Sequence, residues 1–268
     1  MIDSIVWVSS PECPDFYDAE LRAHHEHLRA AYGISPGNEV LDIGCGAGLT
    51  TREAARAAEP GRVVGVDISE RMLERASQAT AAERIGNVVY QVGDAQTHQF
   101  APGAFDVVIS RFGTMFFADP AAAFANITTA MRPRTRLVLL VWQRSEDNEW
   151  AQAIDGALGE AAQPPSPGAD PFSLGDAEAT ARILEDAGFD DMRFEDVREP
   201  VVYGDDVDAA LAVVRGFQDT RAALAGLSEG EAARTVERLR ETLAAHYSDK
   251  RGVVLDSRSW LITARRRR

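Results

Sequence analysis

An α/β fold built on a doubly wound, mostly parallel sheet is predicted for this chain by three observations. Apolar runs of strand length alternate with amphipathic runs of helix length from residue 40 to residue 142. The first of these strands breaks into a glycine turn, and three successive strands end in an acid. Such alternation gives a parallel sheet covered on both faces, with ligands at the carboxyl ends of the strands, near the point where strand order reverses.

The elements follow in order. Asp18 to Tyr32 carries Leu21, His24, His25 and Leu28 on one helical face, with His27 off it, and stops at Gly33. Val40 to Ile43 is the first strand. Gly44, Gly46 and Gly48 have no Cβ, so the backbone there can bend tightly and a ligand can lie against its amides. A helix over 49–58 turns its N-terminal amides and positive dipole end toward the same place. Strands at 63–67 and 88–92 enclose a helix at 69–83. Phe105 to Ser110 is a fourth strand, Pro120 to Met131 a helix opened by its proline, and Arg136 to Trp142 a fifth strand. Beyond Trp142 the pattern changes. It gives a helix at Glu149 to Ala162, a stiff turn at Pro164 to Gly168 and a helix at Asp176 to Ala187 closed by Gly188. A strand from Met192 to Val202, helices at Asp206 to Phe217 and Ser228 to His246, and a strand from Val253 to Ala264 complete the chain.

With 268 residues and 45% apolar content the chain can bury one large core plus an appended element. No run of eighteen apolar residues marks a membrane span, and the N-terminus lacks the basic start and long apolar core of a secretory signal. Cys13 and Cys45 are the two cysteines. Cys45 lies inside the glycine turn, so a disulfide framework is not expected and a reducing cytoplasm fits. A net charge of −14 argues against nucleic acid as a partner, because displacing phosphate counterions needs a basic footprint. The closing Arg265 to Arg268 reads as a solvated tail.

Glycines spaced Gly-x-Gly-x-Gly, with Asp42 two residues before the first, differ from the Gly-x-Gly-x-x-Gly of dinucleotide-binding domains. The segment resembles the first motif of the class I S-adenosylmethionine-dependent methyltransferases. A second strand ends in Asp67 a little over twenty residues past Gly44, where a carboxylate can accept both ribose hydroxyls. A third ends in Gly93-Asp94-Ala95, similar to the adenine-reading segment of that family. Phe105 to Pro120 and Trp260 to Arg265 resemble the branch that contains the ubiquinone and menaquinone biosynthesis methyltransferases. One departure is visible: Met131-Arg132-Pro133-Arg134-Thr135 stands where the family has Arg-Pro-Gly-Gly, which predicts an altered turn and not a lost activity.

The resemblance implies a Rossmann-like seven-stranded sheet whose last strand is antiparallel. Residues 1–35 would be an N-terminal helical segment covering the cofactor mouth, 36–203 and 249–268 the core, and 204–248 a helical cap insertion. It implies S-adenosyl-L-methionine as cofactor and no metal. Asp42, Gly44, Cys45 and Gly46 would meet the methionine part, Asp67 the ribose, and Ile68 and Met72 the adenine faces. Gly93, Asp94 and Ala95 would meet the adenine edge; Ser110 and Arg111 would offer backbone groups near the methionine amine. Tyr17 resembles the N-terminal tyrosine that closes over the cofactor in related enzymes. Phe112, Met115, Phe116 and Trp142 are expected as an apolar wall for a small-molecule acceptor. His25 and His24 are the candidates for a general base, needed only where the acceptor carries a proton that must leave.

The leading function is therefore methyl transfer to oxygen, nitrogen or carbon of a metabolite, plausible in bacterial secondary metabolism. A non-methylating enzyme that keeps the cofactor, for cyclisation or rearrangement, is the alternative. A relict binding protein and a dehydrogenase stand behind these. Monomer and homodimer both remain open.

Overall fold

The computed structural model describes residues 18, 20–162 and 170–268. Tyr17, Cys13 and the expected turn at Pro164 to Gly168 lie outside the described residues. The chain divides into two compact units.

The larger unit, whose described residues are 24–144, 170–197 and 259–268, holds a seven-stranded sheet. Its strands are β1 (Val40–Ile43), β2 (Val63–Asp67), β3 (Val88–Val92), β4 (Phe105–Arg111), β5 (Met131–Trp142), β6 (Phe189–Arg198) and β10 (Arg258–Arg266). They lie in the order β3-β2-β1-β4-β5-β10-β6. β1 pairs in parallel with both β2 and β4, Asp42 standing opposite Gly65 on one side and Ile109 on the other; β10 runs antiparallel to β5. Strand order reverses between β1 and β4, so their tips, at Ile43 and Arg111, border the crevice where such sheets bind ligands. The core strands read as near-continuous apolar runs because both faces are covered; Leu137 to Val141 are fully buried.

The helices of this unit are α1 (Arg22–Ala31), α2 (Leu49–Ala58), α3 (Glu70–Ala82), α4 (Pro120–Ala130) and α6 (Ala177–Asp186). Short polar caps start three of them: Ser69 accepts from the Met72 amide at 3.3 Å, Asp119 from Ala122 at 3.0 Å and Asp176 from Ala179 at 2.9 Å. α2 differs. It follows Gly48 at φ +79° and has no side-chain cap.

β5 starts at Met131, five residues before the expected Arg136, with a register shift opposite Phe105 and Val107. Within this early part of β5, Arg134 adopts φ +66°, the left-handed region that a glycine takes freely. Arg134→Gly is expected to raise stability by about 1 kcal/mol, read as a higher thermal midpoint; an unchanged or lower midpoint would contradict the strain.

Two expected strands are each divided. The run Met192 to Val202 becomes β6 and β7 (Val201–Gly204), separated at Glu199-Pro200, where proline supplies no amide for the ladder. The run Val253 to Ala264 becomes β9 (Gly252–Leu255) and β10, separated at Asp256-Ser257. In both places the chain changes sheets, which an apolar pattern cannot register. β7 and β9, with β8 (Tyr247–Ser248), form a separate three-stranded antiparallel sheet.

That sheet belongs to the smaller unit, whose described residues are 18, 20–23, 145–162 and 198–258. Its helices are α5 (Glu149–Leu158), α7 (Val207–Gly216), α8 (Gln218–Ala225) and α9 (Glu229–Ala245). Arg238 on α9 donates to the Ala157 carbonyl at 2.9 Å, and Glu149 accepts the Asp256 amide at 2.7 Å. Tyr203 is buried edge-on to Phe217. Among the described residues no helix is long and apolar enough to cross a membrane.

Candidate functional site

The tip of β1 sets the geometry. Asp42 is buried, and its Oδ2 accepts the Thr51 hydroxyl at 2.6 Å, while Oδ1 has no partner among the described residues. Burial pushes the carboxyl up to about 7, opposed by the Thr51 hydrogen bond and the Arg111 charge. Immediately beyond, Gly44 turns at φ +65°, and a Cβ there would stand 2.7 Å from the Gly113 Cα. The loops that follow β1 and β4 thus meet backbone to backbone. The Gly44 and Cys45 amides donate to the Val66 carbonyl at 2.8 and 3.2 Å, fastening the turn to β2. The Cys45 thiol is buried and held well above its ordinary range, so it stays protonated and inert.

The tip of β2 completes the turn. Asp67 accepts the Gly46 amide on Oδ2 and the Ser69 amide on Oδ1, both at 2.8 Å. Each oxygen retains a second lone pair. Ile68 beside it is 76% exposed, and the Met72 methyl lies 3.6 Å from where a Gly46 Cβ would stand.

The third acid is arranged differently. Asp94 accepts the Gln96 amide and the Gln96 side chain, each at 2.9 Å, and Gln96 in turn accepts the Asp119 amide at 2.7 Å. Ala95 is buried, its carbonyl held by Asn126, and a Cβ on Gly93 would meet the His98 Nδ1 at 2.4 Å.

At the tip of β4, the Ser110 hydroxyl donates to the Ile43 carbonyl at 2.7 Å, and Phe112 adopts φ +55°. Strain of this kind persists where packing overdetermines it. Phe112 stacks at 4.3 Å on Trp142, and His24 stands edge-on to both rings. Of the expected acceptor wall, Phe112, Met115 and Trp142 are buried and Phe116 is exposed.

Leu21, His24, His25 and Leu28 are all buried. His24 is lowered to about 4, first by burial and then by the charges of His27 and Arg111, so its ring is neutral near pH 7. Its NMR resonances are expected to show no titration between about pH 5.5 and 8; a midpoint inside that window would contradict this burial. His25 Nε2 lies 2.7 Å from Glu53 Oε2 on α2, and its Nδ1 is buried without a partner among the described residues.

Thr51, Glu53, Tyr32 and Gln96 are the polar participants that sequence reasoning missed. Thr51, Glu53 and Gln96 bond to residues on other elements, Asp42, His25 and Asp119, which leaves no local periodic signal.

A family model described as a methyltransferase domain matches residues 40–134, from β1 through the turn at Arg134. Over that segment, about a third of its length, the chain is similar to methyltransferase domains. The chain is 36% identical over 174 residues to nocamycin O-methyltransferase from Saccharothrix syringae, covering 59% of this chain and 61% of that protein. It is 33% identical over 118 residues to demethylmenaquinone methyltransferase from Symbiobacterium thermophilum, covering 43% of this chain and 47% of that one. The chain thus spans less than two thirds of the length of both relatives. The YcgJ protein from Bacillus subtilis shares its fold, with a TM-score of 0.64 at 20% identity, covering 91% of this chain and all of that one.

S-adenosylmethionine is the cofactor that the sequence resemblance implies, and the residues present fit it. An ammonium suits the open oxygen of Asp42, a ribose the spare lone pairs of Asp67, and an adenine face the exposed Ile68. At Gly46, where a Cβ would meet nothing closer than the Met72 methyl at 3.6 Å, the backbone is open to close approach.

Proposed function

We propose that this protein transfers the methyl group of S-adenosylmethionine to oxygen, nitrogen or carbon of a small-molecule acceptor. The observation that carries the reading is the buried, unpartnered oxygen of Asp42 beside a turn whose glycines tolerate no side chain. The cofactor supplies a methyl on a sulfonium, an electrophile that needs no further activation. The carbon–sulfur bond breaks as the acceptor's bond to carbon forms, S-adenosylhomocysteine leaves, and any acceptor proton passes to solvent or to a hydrogen-bonded base.

The chain's own contribution is positioning. Asp42, Asp67 and the glycine turn fix one reactant, and holding the second in line at about 3 to 3.5 Å contributes about 7 to 11 kcal/mol toward the barrier. Phe112 and Trp142 would exclude water at the tips of β4 and β5, with Phe116 offering the apolar contact to the acceptor. His24, neutral at the same tips, suits accepting a hydrogen bond from an acceptor hydroxyl better than retaining a proton.

The test is incubation with methyl-labelled cofactor and a panel of phenols, carboxylic acids, amines and activated carbon acids. Label in an acceptor with matching S-adenosylhomocysteine is the expected result. An acceptor consumed with the cofactor left intact would replace this reading with a non-methylating one.

A further inference from the structure

The two edges of the seven-stranded sheet are built to opposite rules. β6 closes one edge with a charge at six of its ten positions, Asp190, Asp191, Arg193, Glu195, Asp196 and Arg198. Charges of this kind keep a free edge from pairing with another chain. β3 closes the other edge and reads Val88-Val89-Tyr90-Gln91-Val92, with no charge, no proline and no register shift against β2. Of the five large apolar side chains that stand exposed among the described residues, three are here: Val89 at 40%, Val92 at 56%, and Ile68 at the adjoining tip of β2. The neutral strip continues onto α3, which bears no charge from Ala76 to Ala82 and whose Thr80 hydroxyl lies 2.9 Å from the Tyr90 hydroxyl.

The direction of the backbone bonds decides what this edge can take. The Asn87 carbonyl accepts from the Val63 amide and the Gly93 amide donates to the Asp67 carbonyl, so by strand alternation positions 87, 89, 91 and 93 face β2. Val88, Tyr90 and Val92 therefore turn their amides and carbonyls outward. We propose that a second copy of this chain pairs antiparallel with β3 about a twofold axis at Tyr90, joining two seven-stranded sheets into one. In that register Val88 stands opposite the partner's Val92 and Tyr90 opposite the partner's Tyr90, each an outward-facing pair that exchanges two hydrogen bonds. The strand is its own complement in bonding and in side chains, which an arbitrary peptide is not. Charge points the same way: copies that each carry −14 repel across most of their surfaces, and a neutral strip is where they approach at least cost. The pairing goes beyond the methyltransferase reading and does not depend on it.

Sedimentation of the full chain over a wide concentration range is expected to show a dimer that dissociates on dilution. Val89→Lys sets two ammonium groups diagonally across the axis and is expected to weaken the dimer by about tenfold or more. Tyr247→Lys, at an exposed apolar position on β8, should leave it intact. A second measurement guards against a misfolded lysine variant. Val89 stands opposite the partner's Gln91 in a non-hydrogen-bonded pair, close enough for a disulfide. Under oxidation, a mixture of Val89→Cys and Gln91→Cys proteins should therefore form a covalent dimer that neither forms alone. A wild-type chain that stays single at every concentration would overturn the pairing and leave the edge to an extended segment of another protein. A dimer that survives Val89→Lys, or a mixture that cross-links no more than its components, would overturn it as well.

Discussion

Asp67→Ala is expected to lower the affinity for S-adenosylhomocysteine by about 10- to 100-fold, the scale of hydrogen bonds to a charged group. The carboxylate has two tasks at once. Its oxygens already accept the Gly46 and Ser69 amides, and their remaining lone pairs are what a ribose diol needs. The alanine variant therefore loses the ligand contact together with the bonds that hold the turn and the start of α3. A lower thermal midpoint should accompany the weaker binding. Asp67→Asn, which keeps one carbonyl oxygen, should fall between the two proteins on both measures. An alanine variant binding within about threefold of wild type, less than 1 kcal/mol, would remove Asp67 from the site.

Asp42→Asn should separate stability from binding in opposite directions. Burial raises the carboxyl from 3.8 to about 7 in the folded chain. The folded state therefore holds a proton that the unfolded state has released, and the stability this contributes is present below pH 3.8 and lost as pH rises through about 7. The full span corresponds to about 4 kcal/mol as an upper bound. Asparagine never ionises, so at pH 8 the ligand-free variant should melt higher than wild type, and at pH 5 the advantage should shrink. Binding runs the other way, because an ammonium needs the ionised carboxylate. Wild-type affinity for S-adenosylhomocysteine should hold above pH 7 and fall by up to about tenfold per pH unit below it, a dependence that Asp42→Asn abolishes. A variant that melts lower at pH 8 would show that the carboxylate is stabilised by something other than the ligand.

The part of the fold between Val40 and Arg111 was legible because its signals are local. Glycines without a Cβ, acids at strand tips and apolar runs of strand length can each be read from neighbouring residues. The start of β5 was not legible, since Met131 to Thr135 joins the strand through an irregular register that depends on Phe105 and Val107. The divided strands escaped for a related reason: alternation marks a strand but not the sheet to which it belongs. At the site, Asp42 and Asp67 could be named from position alone. The Thr51 bond to Asp42 and the His25 bond to Glu53 could not, because each joins residues brought together only by folding. The helical face of His24 and His25 was correctly periodic, yet periodicity could not distinguish a ring wedged against Phe112 and Trp142 from one bonded to a carboxylate.

The contact between Gly44 and Gly113 has a consequence for how this protein can change. Two hairpin-thin bends, drawn from opposite halves of the sheet, touch with no spare thickness, so even a methyl group on either side must prise the crevice apart. This seam therefore acts as a fixed spacer that sets how closely the loops after β1 and β4 approach.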